Sequence, residues 1–170
     1  MKEKDIGFNH IISCRDEIVS DINEQCNYLF FIKKGKVRID YNRQQRIFDS
    51  GEMFFVSEKL TSIITLLNNS DVVVYSFQNK FSLCTIFDYE QLGEEQVKDI
   101  PTLLALKMTK PILSFLDLII LYIEDCLFCN YLLKIKEQEL FILLKAFYAK
   151  QQLLFLFYPA FSMNIDVSES

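Results

Sequence analysis

The sequence predicts an α+β fold, an N-terminal antiparallel β-barrel (a double-sheet roll) followed by a C-terminal helical segment of about three helices. Three observations predict it. Residues 1–100 carry short runs of β-branched and aromatic residues, with turn signals at intervals of roughly ten residues. Beyond that point the apolar residues recur with the period of a helix. The chain has 170 residues, 51% of them hydrophobic, which suits one compact domain that needs neither disulfide nor metal to fold. The expected organisation is a β-barrel over residues 1–100, a helical region over 101–160 and a tail over 161–170.

The elements follow in order. Asn27–Lys33 and Lys36–Tyr41 flank Gly35 and read as a hairpin. In the second of these Val37, Ile39 and Tyr41 alternate with Arg38 and Asp40, so one face is buried and the other wet. Arg46–Phe48, Met53–Val56, Ser62–Leu67 and Val72–Phe77 are further strands, joined by turns at Asp49–Glu52 and Asn68–Asp71. Lys80–Asp88 adds a last one. Pro101 and Pro111 mark helix starts, where a missing backbone N–H costs little. From Ile112 to Phe128 the polar residues Ser114, Asp117, Glu124 and Asp125 form a narrow stripe on an otherwise apolar helix. Such a helix must be covered on more than one side: by the barrel, and by a second helix or a second subunit. Tyr131–Tyr148 has a wet side of Lys134, Lys136, Glu137, Gln138 and Glu139, and a dry side of Leu140, Leu143, Leu144 and Phe147. A third helix, Lys150–Tyr158, stops at Pro159.

Composition removes several function classes. Four glycines, Gly7, Gly35, Gly51 and Gly93, lie too far apart for a phosphate-cradling loop. One histidine, His10, rules out most histidine-based metal and acid–base sites within a single chain. The serines lack a histidine partner and elbow glycines, and Glu94-Glu95 and Glu137/Glu139 look like solvated carboxylates. The chain therefore reads as non-enzymatic, with no metal and no cofactor. A net charge of −5 argues against gripping nucleic acid directly. Lys33, Lys34, Lys36, Arg38, Arg43 and Arg46 crowd one segment with Asp40 alone opposing them, which reads as a solvated turn or as a contact for an acidic ligand or neighbouring domain. Five cysteines without regular spacing, no signal peptide and no apolar run long enough for a membrane span indicate a soluble cytoplasmic protein. Cys126 and Cys129 have CxxC spacing, but a structural zinc needs four ligands, so they read as small apolar residues on a helix.

The aromatics on the strands either fill the barrel or line a small-molecule cavity. Strand phase selects Phe30, Ile32, Val37, Ile39, Tyr41, Phe55 and Tyr75 as pocket residues, and a one-residue slip would reverse each assignment. The two long helices offer Phe115, Ile119, Tyr122 and Ile123, with Leu140, Leu144 and Phe147, as a two-fold interface.

The stretch Ile32-Lys33-Lys34-Gly35-Lys36-Val37, followed by Asp49-Ser50-Gly51-Glu52-Met53-Phe54-Phe55-Val56, resembles the minimal cupin pattern. The histidines with which catalytic cupins hold metal are missing from these regions. The helical half is similar to the N-terminal regulatory half of bacterial AraC-type transcription regulators. It matches at Lys110-Pro111-Ile112, Phe115-Leu116-Asp117, Tyr122, Cys129, Lys136 to Phe141, Phe147-Tyr148, Leu153 and Phe157-Tyr158-Pro159. The resemblance runs from about Asn27 to Pro159. It implies a cupin-like domain that senses a small effector and forms a homodimer through its helices. A second domain with two helix-turn-helix units would then read DNA. This sequence stops at Ser170, where that domain would begin, so its own residues are not expected to bind an operator. Two alternatives stand beside this reading: a cupin-fold enzyme acting on a sugar or small acid, and a structural dimer whose barrel holds no ligand.

Overall fold

The computed structural model describes residues 6–19, 25–78 and 103–162. Strands run in the order β1 (Gly7–Ser13), β2 (Glu17–Ile18), β3 (Asn27–Lys34), β4 (Lys36–Tyr41), β5 (Gln44–Asp49), β6 (Glu52–Val56), β7 (Ser62–Leu66), β8 (Ser70–Phe77) and β9 (Ala105–Lys107). Helices α1 (Lys110–Glu124), α2 (Asn130–Phe147), α3 (Lys150–Phe157) and the single turn α4 (Pro159–Ser162) follow among the described residues. The strands form a five-stranded sheet, β1-β8-β3-β6-β9, and a four-stranded sheet, β2-β7-β4-β5. Every pairing is antiparallel. This is the expected α+β architecture, a double-sheet roll followed by helices.

Four local expectations change. Gly35 is not the turn of a hairpin: β3 pairs with β6 and β8, whereas β4 pairs with β5 and β7, so the chain crosses from one sheet to the other at Gly35. Only glycine fits there. Its φ is +82°, and a Cβ would fall 2.4 Å from Ser70 Oγ and 2.6 Å from Ser70 Cα. The Ser70 hydroxyl in turn shares its one proton between the carbonyls of Lys36 (2.9 Å) and Leu67 (2.6 Å), which pins this corner to the start of β8. The hairpin lies one turn later, where Asn42 and Arg43 (φ 46° and 59°) join β4 to β5 as a two-residue turn with both φ values positive. Residues Gly7–Ser13 and Ala105–Lys107 are edge strands with too few apolar residues to stand out in sequence, and the second places a strand inside the region expected to be helical. Finally, Cys126 and Cys129 lie outside both helices, in the α1–α2 turn, and both are exposed. The expected strand at Lys80–Asp88 and the helix start at Pro101 fall outside the described residues.

The five-stranded sheet is apolar on both faces, because it is covered on both. One face meets the four-stranded sheet: Phe30, Ile32, Phe54, Val56, Val72 and Val74 pack with Val37, Ile39, Phe48, Ile64 and Leu66. The other face meets the helices: Phe8, Leu29, Phe31, Met53, Phe55, Val73, Tyr75 and Phe77 pack against Ile112, Phe115, Leu116 and Ile119 of α1, Leu140, Phe141 and Leu144 of α2, and Leu153 and Phe157 of α3. Each fully buried aliphatic or aromatic side chain contributes about 1.5–3 kcal/mol, so this second layer is as much a core as the first. The Tyr148 hydroxyl ties the layers together. It donates to the Lys107 carbonyl (2.7 Å) and accepts from the Thr109 N–H (3.1 Å), fixing the angle at which β9 passes into α1.

Candidate functional site

Three places could hold a ligand: the space between the sheets, the seam between roll and helices, and a cleft at the β4–β5 turn. The first is filled. Phe54 lies between Phe30 and Phe48, with ring centroids 4.9 and 4.1 Å away and planes within 1° and 11° of parallel. Phe30, Ile32, Val37 and Ile39 are fully buried in this stack, and Tyr41 packs half-buried at its margin. Phe55 and Tyr75, the other two expected pocket residues, point the opposite way into the helix layer. The seven therefore do not line one cavity. The phase slipped because β6 and β8 are apolar at successive positions and carry no alternation from which to read inside and outside.

In the helix layer Tyr75 is the centre of an aromatic chain. It stacks on Phe8 (4.6 Å) and Phe77 (5.1 Å) and meets Phe141 of α2 edge-on (6.4 Å). Phe8 in turn contacts Phe115 and Phe128 (both 5.9 Å), so β1, β8, α1 and α2 share one packed network. Burial pushes the Tyr75 phenol far up from its ordinary value, and the nearby Glu137 carboxylate adds to the rise. The hydroxyl itself completes no hydrogen bond of normal geometry. Asn27 Nδ2 is likewise buried and unpartnered, although its Oδ1 accepts from the Glu58 N–H (2.9 Å).

An open cleft of about 460 Å³ lies at the β4–β5 turn, lined by Asp40, Tyr41, Arg43, Gln45, Ser62 and neighbouring residues. The Asp40 carboxylate there is already engaged by Arg38 (3.3 Å) and Gln45 (2.9 Å). The basic segment is similarly occupied by its own chain. Lys33 pairs with Asp117 of α1 (2.6 Å), Lys36 with Asp49 (3.4 Å), and Arg46 donates to the Leu103 carbonyl and lies over the Phe48 ring. Those contacts suit a solvated, self-paired surface better than a waiting anion site.

The expected interface residues are divided by the structure. Phe115, Ile119, Leu140 and Leu144 belong to the intrachain core, and Ile123 packs half-buried against it. Tyr122 meets Phe128 edge-on (6.0 Å) and carries Lys136 over its ring (5.1 Å). Of the seven, Phe147 alone is largely exposed. The sheet covers the helix faces that seemed to need a second subunit. What stays outside is a different stripe, Tyr131, Ile135 and Ile142 on α2, with Leu121 on α1.

Among the described residues no cluster of three or more His, Cys, Asp or Glu is placed to hold a metal ion, and no helix is long and apolar enough to cross a membrane. His10 bonds Asp71 (2.7 Å) across the β1–β8 pair.

No protein-family model matches the sequence, and no curated protein sequence matches it. Solved structures do. The chain superposes on apo ToxT K231A from Vibrio cholerae strain SCE256 with a TM-score of 0.56 at 12% identity, over 87% of this chain and 56% of that one. It also matches ToxT from Vibrio cholerae O395 (TM-score 0.45, 12% identity, 76% and 53% covered). A Cupin 2 conserved barrel protein from Salinispora arenicola CNS-205 matches more partially (TM-score 0.38, 5% identity, 46% and 66% covered). The chain spans little more than half the length of the ToxT structures. ToxT is an AraC-family protein. The likeness is one of fold: the double-sheet roll backed by helices that the AraC-type resemblance implies is the fold this chain has.

Proposed function

We propose that this chain is the regulatory part of an AraC-type transcription regulator: a non-enzymatic cytoplasmic domain that senses a small molecule and pairs with a second copy of itself. DNA would be read by a separate helix-turn-helix domain. The observation that supports this reading most is the second core. A helical hairpin is fused to the back of the roll through Phe8, Tyr75, Phe115 and Phe141, so a change in the roll repacks the helices that carry the exposed stripe. Coupling of that kind is what a sensor needs, since a ligand acts by favouring one of two packings.

The proposed pairing surface is the stripe Tyr131, Ile135 and Ile142. Light scattering at about tens of micromolar, a range in which a stable dimer persists, is expected to return a dimer for the native chain and a monomer for Ile142→Glu. A native monomer overturns the pairing. One observation favours a second reading, a structural dimer without effector: Phe30, Phe48 and Phe54 already fill the space between the sheets. Thermal unfolding against a panel of small acids and sugars separates the two, because a ligand present at 100 times its Kd adds about 2.7 kcal/mol. No shift with any member of the panel supports the effector-free reading.

A further inference from the structure

We propose that Cys126 and Cys129 form an oxidisable dithiol that closes into an intrachain disulfide across the joint between α1 and α2. The two thiols are three residues apart and both exposed, on a connection that belongs to neither helix. Each occupies a helix-terminal position at which cysteine is an unusual choice. Cys126 follows the end of α1 with a left-handed backbone (φ 53°). Its N–H donates to the Ile123 carbonyl (3.1 Å), while the Leu127 N–H donates to Tyr122 (2.9 Å). That hydrogen-bond pattern normally ends on glycine, and a side chain there costs about 1–2 kcal/mol. Cys129 is the N-cap of α2. Its sulfur makes no cap hydrogen bond of normal geometry, but the backbone N–H groups of Leu132 and Tyr131 in the first turn favour the thiolate and hold the thiol below its ordinary value. A thiolate there meets the positive end of an 18-residue helix. Cys26 is buried, and Cys14, although exposed, sits on the β1–β2 turn away from any helix end.

The chemistry is thiol–disulfide exchange with a low-molecular-weight disulfide. The Cys129 thiolate attacks one sulfur of that disulfide; a new S–S bond forms, the old one breaks, and one small thiol leaves. Cys126, deprotonated to solvent, then attacks Cys129 Sγ and expels the second small thiol. Two electrons pass from the dithiol to the external disulfide, and two protons end on the released thiols. Closure requires Cα atoms within about 4.4–6.8 Å, and Leu127 and Phe128 are the two residues held between the sulfurs. Phe128 is the lever. Its ring packs on Phe8 and Tyr122, so closing the ring works directly on the contact between β1 and the helix pair.

The test treats the reduced full chain with oxidised glutathione at neutral pH, followed by alkylation and peptide mass spectrometry. The native peptide carrying both cysteines should lose two hydrogens and retain no glutathione. Cys126→Ser should trap one glutathione on Cys129, formed several-fold faster than on Cys14 in the same molecule. Equal rates at Cys129 and Cys14 overturn the activation. A native chain that accumulates glutathione on Cys129 beside a free Cys126 overturns the pair.

Discussion

Replacing Tyr75 by Phe removes one oxygen atom from the middle of the helix–sheet layer and leaves the ring stack in place. The hydroxyl is fully buried and makes no hydrogen bond of normal geometry, its interaction with the Glu137 carboxylate being a poor one, so folding strips it of water for little return. Leaving such a group unpaired costs about 1–3 kcal/mol, and Tyr75→Phe is expected to raise stability by about 1 kcal/mol at pH 7. The sign reverses at Tyr148, whose hydroxyl joins Lys107 to Thr109: Tyr148→Phe removes two part-buried hydrogen bonds, at about 1 kcal/mol. Alkaline pH sharpens the contrast. Burial raises the folded pKa of Tyr75 above its unfolded value near 10. Its contribution is therefore fully present below pH 10 and declines as pH rises, because the unfolded chain can release the proton and the folded chain cannot. Above pH 10 the native protein should lose about 1.4 kcal/mol per pH unit relative to Tyr75→Phe. Urea unfolding of the native chain and Tyr75→Phe at pH 7, 9 and 11 reads both effects, with the other tyrosines cancelling in the difference. If Tyr75→Phe is destabilising by 1 kcal/mol or more (about the worth of one hydrogen bond), or if the difference does not move with pH, the hydroxyl has a partner and the reasoning fails.

Three further outcomes follow from the packing. Gly35→Ala, which forces a positive φ and drives a Cβ onto Ser70, should cost at least about 2 kcal/mol in urea unfolding, whereas Gly51→Ala, with open space around it, should cost only its backbone strain of about 1–2 kcal/mol. Phe54→Ala, at the centre of the three-ring stack, should cost about 3–5 kcal/mol and open an apolar cavity, and a loss below about 1 kcal/mol would mean that the stack is not the core of the roll. Leu144→Ala should destabilise by about 2–5 kcal/mol without changing oligomeric state, while Ile142→Glu should abolish pairing at nearly native stability; dimer loss from Leu144→Ala in a folded chain would reinstate the buried face as the interface.

How much of this was legible in the sequence depends on whether an element has one wet face. In β4, Val37 and Ile39 alternate with Arg38 and Asp40, and the direction of each side chain could be read from the pattern. In β3, the run from Asn27 to Ile32 is buried without interruption, and in β8 every residue but Asp71 is buried, so period two vanishes and the phase with it. The same cause misled the helices. A helix apolar on most sides announces that two partners cover it without naming them, and Phe115, Ile119, Leu140 and Leu144 could equally have met a second subunit. The apolarity of the two elements is mutual: β8 lacks a wet face because α1 and α2 lie on it, and α1 is greasy because β8 lies beneath it. Neither pattern is interpretable until both are placed together. The Cys126–Cys129 pair shows the converse. Its CxxC spacing was visible, but its exposure depends on α1 ending at Glu124, four residues before the apolar run does. Leu127 and Phe128 extend the hydrophobic run past the true helix end, and the left-handed Cys126 stops the helix where no glycine or proline signals it. A stop placed on a residue ill suited to that backbone needs a reason beyond helix termination. The reactivity of the thiol supplies one that glycine would forfeit.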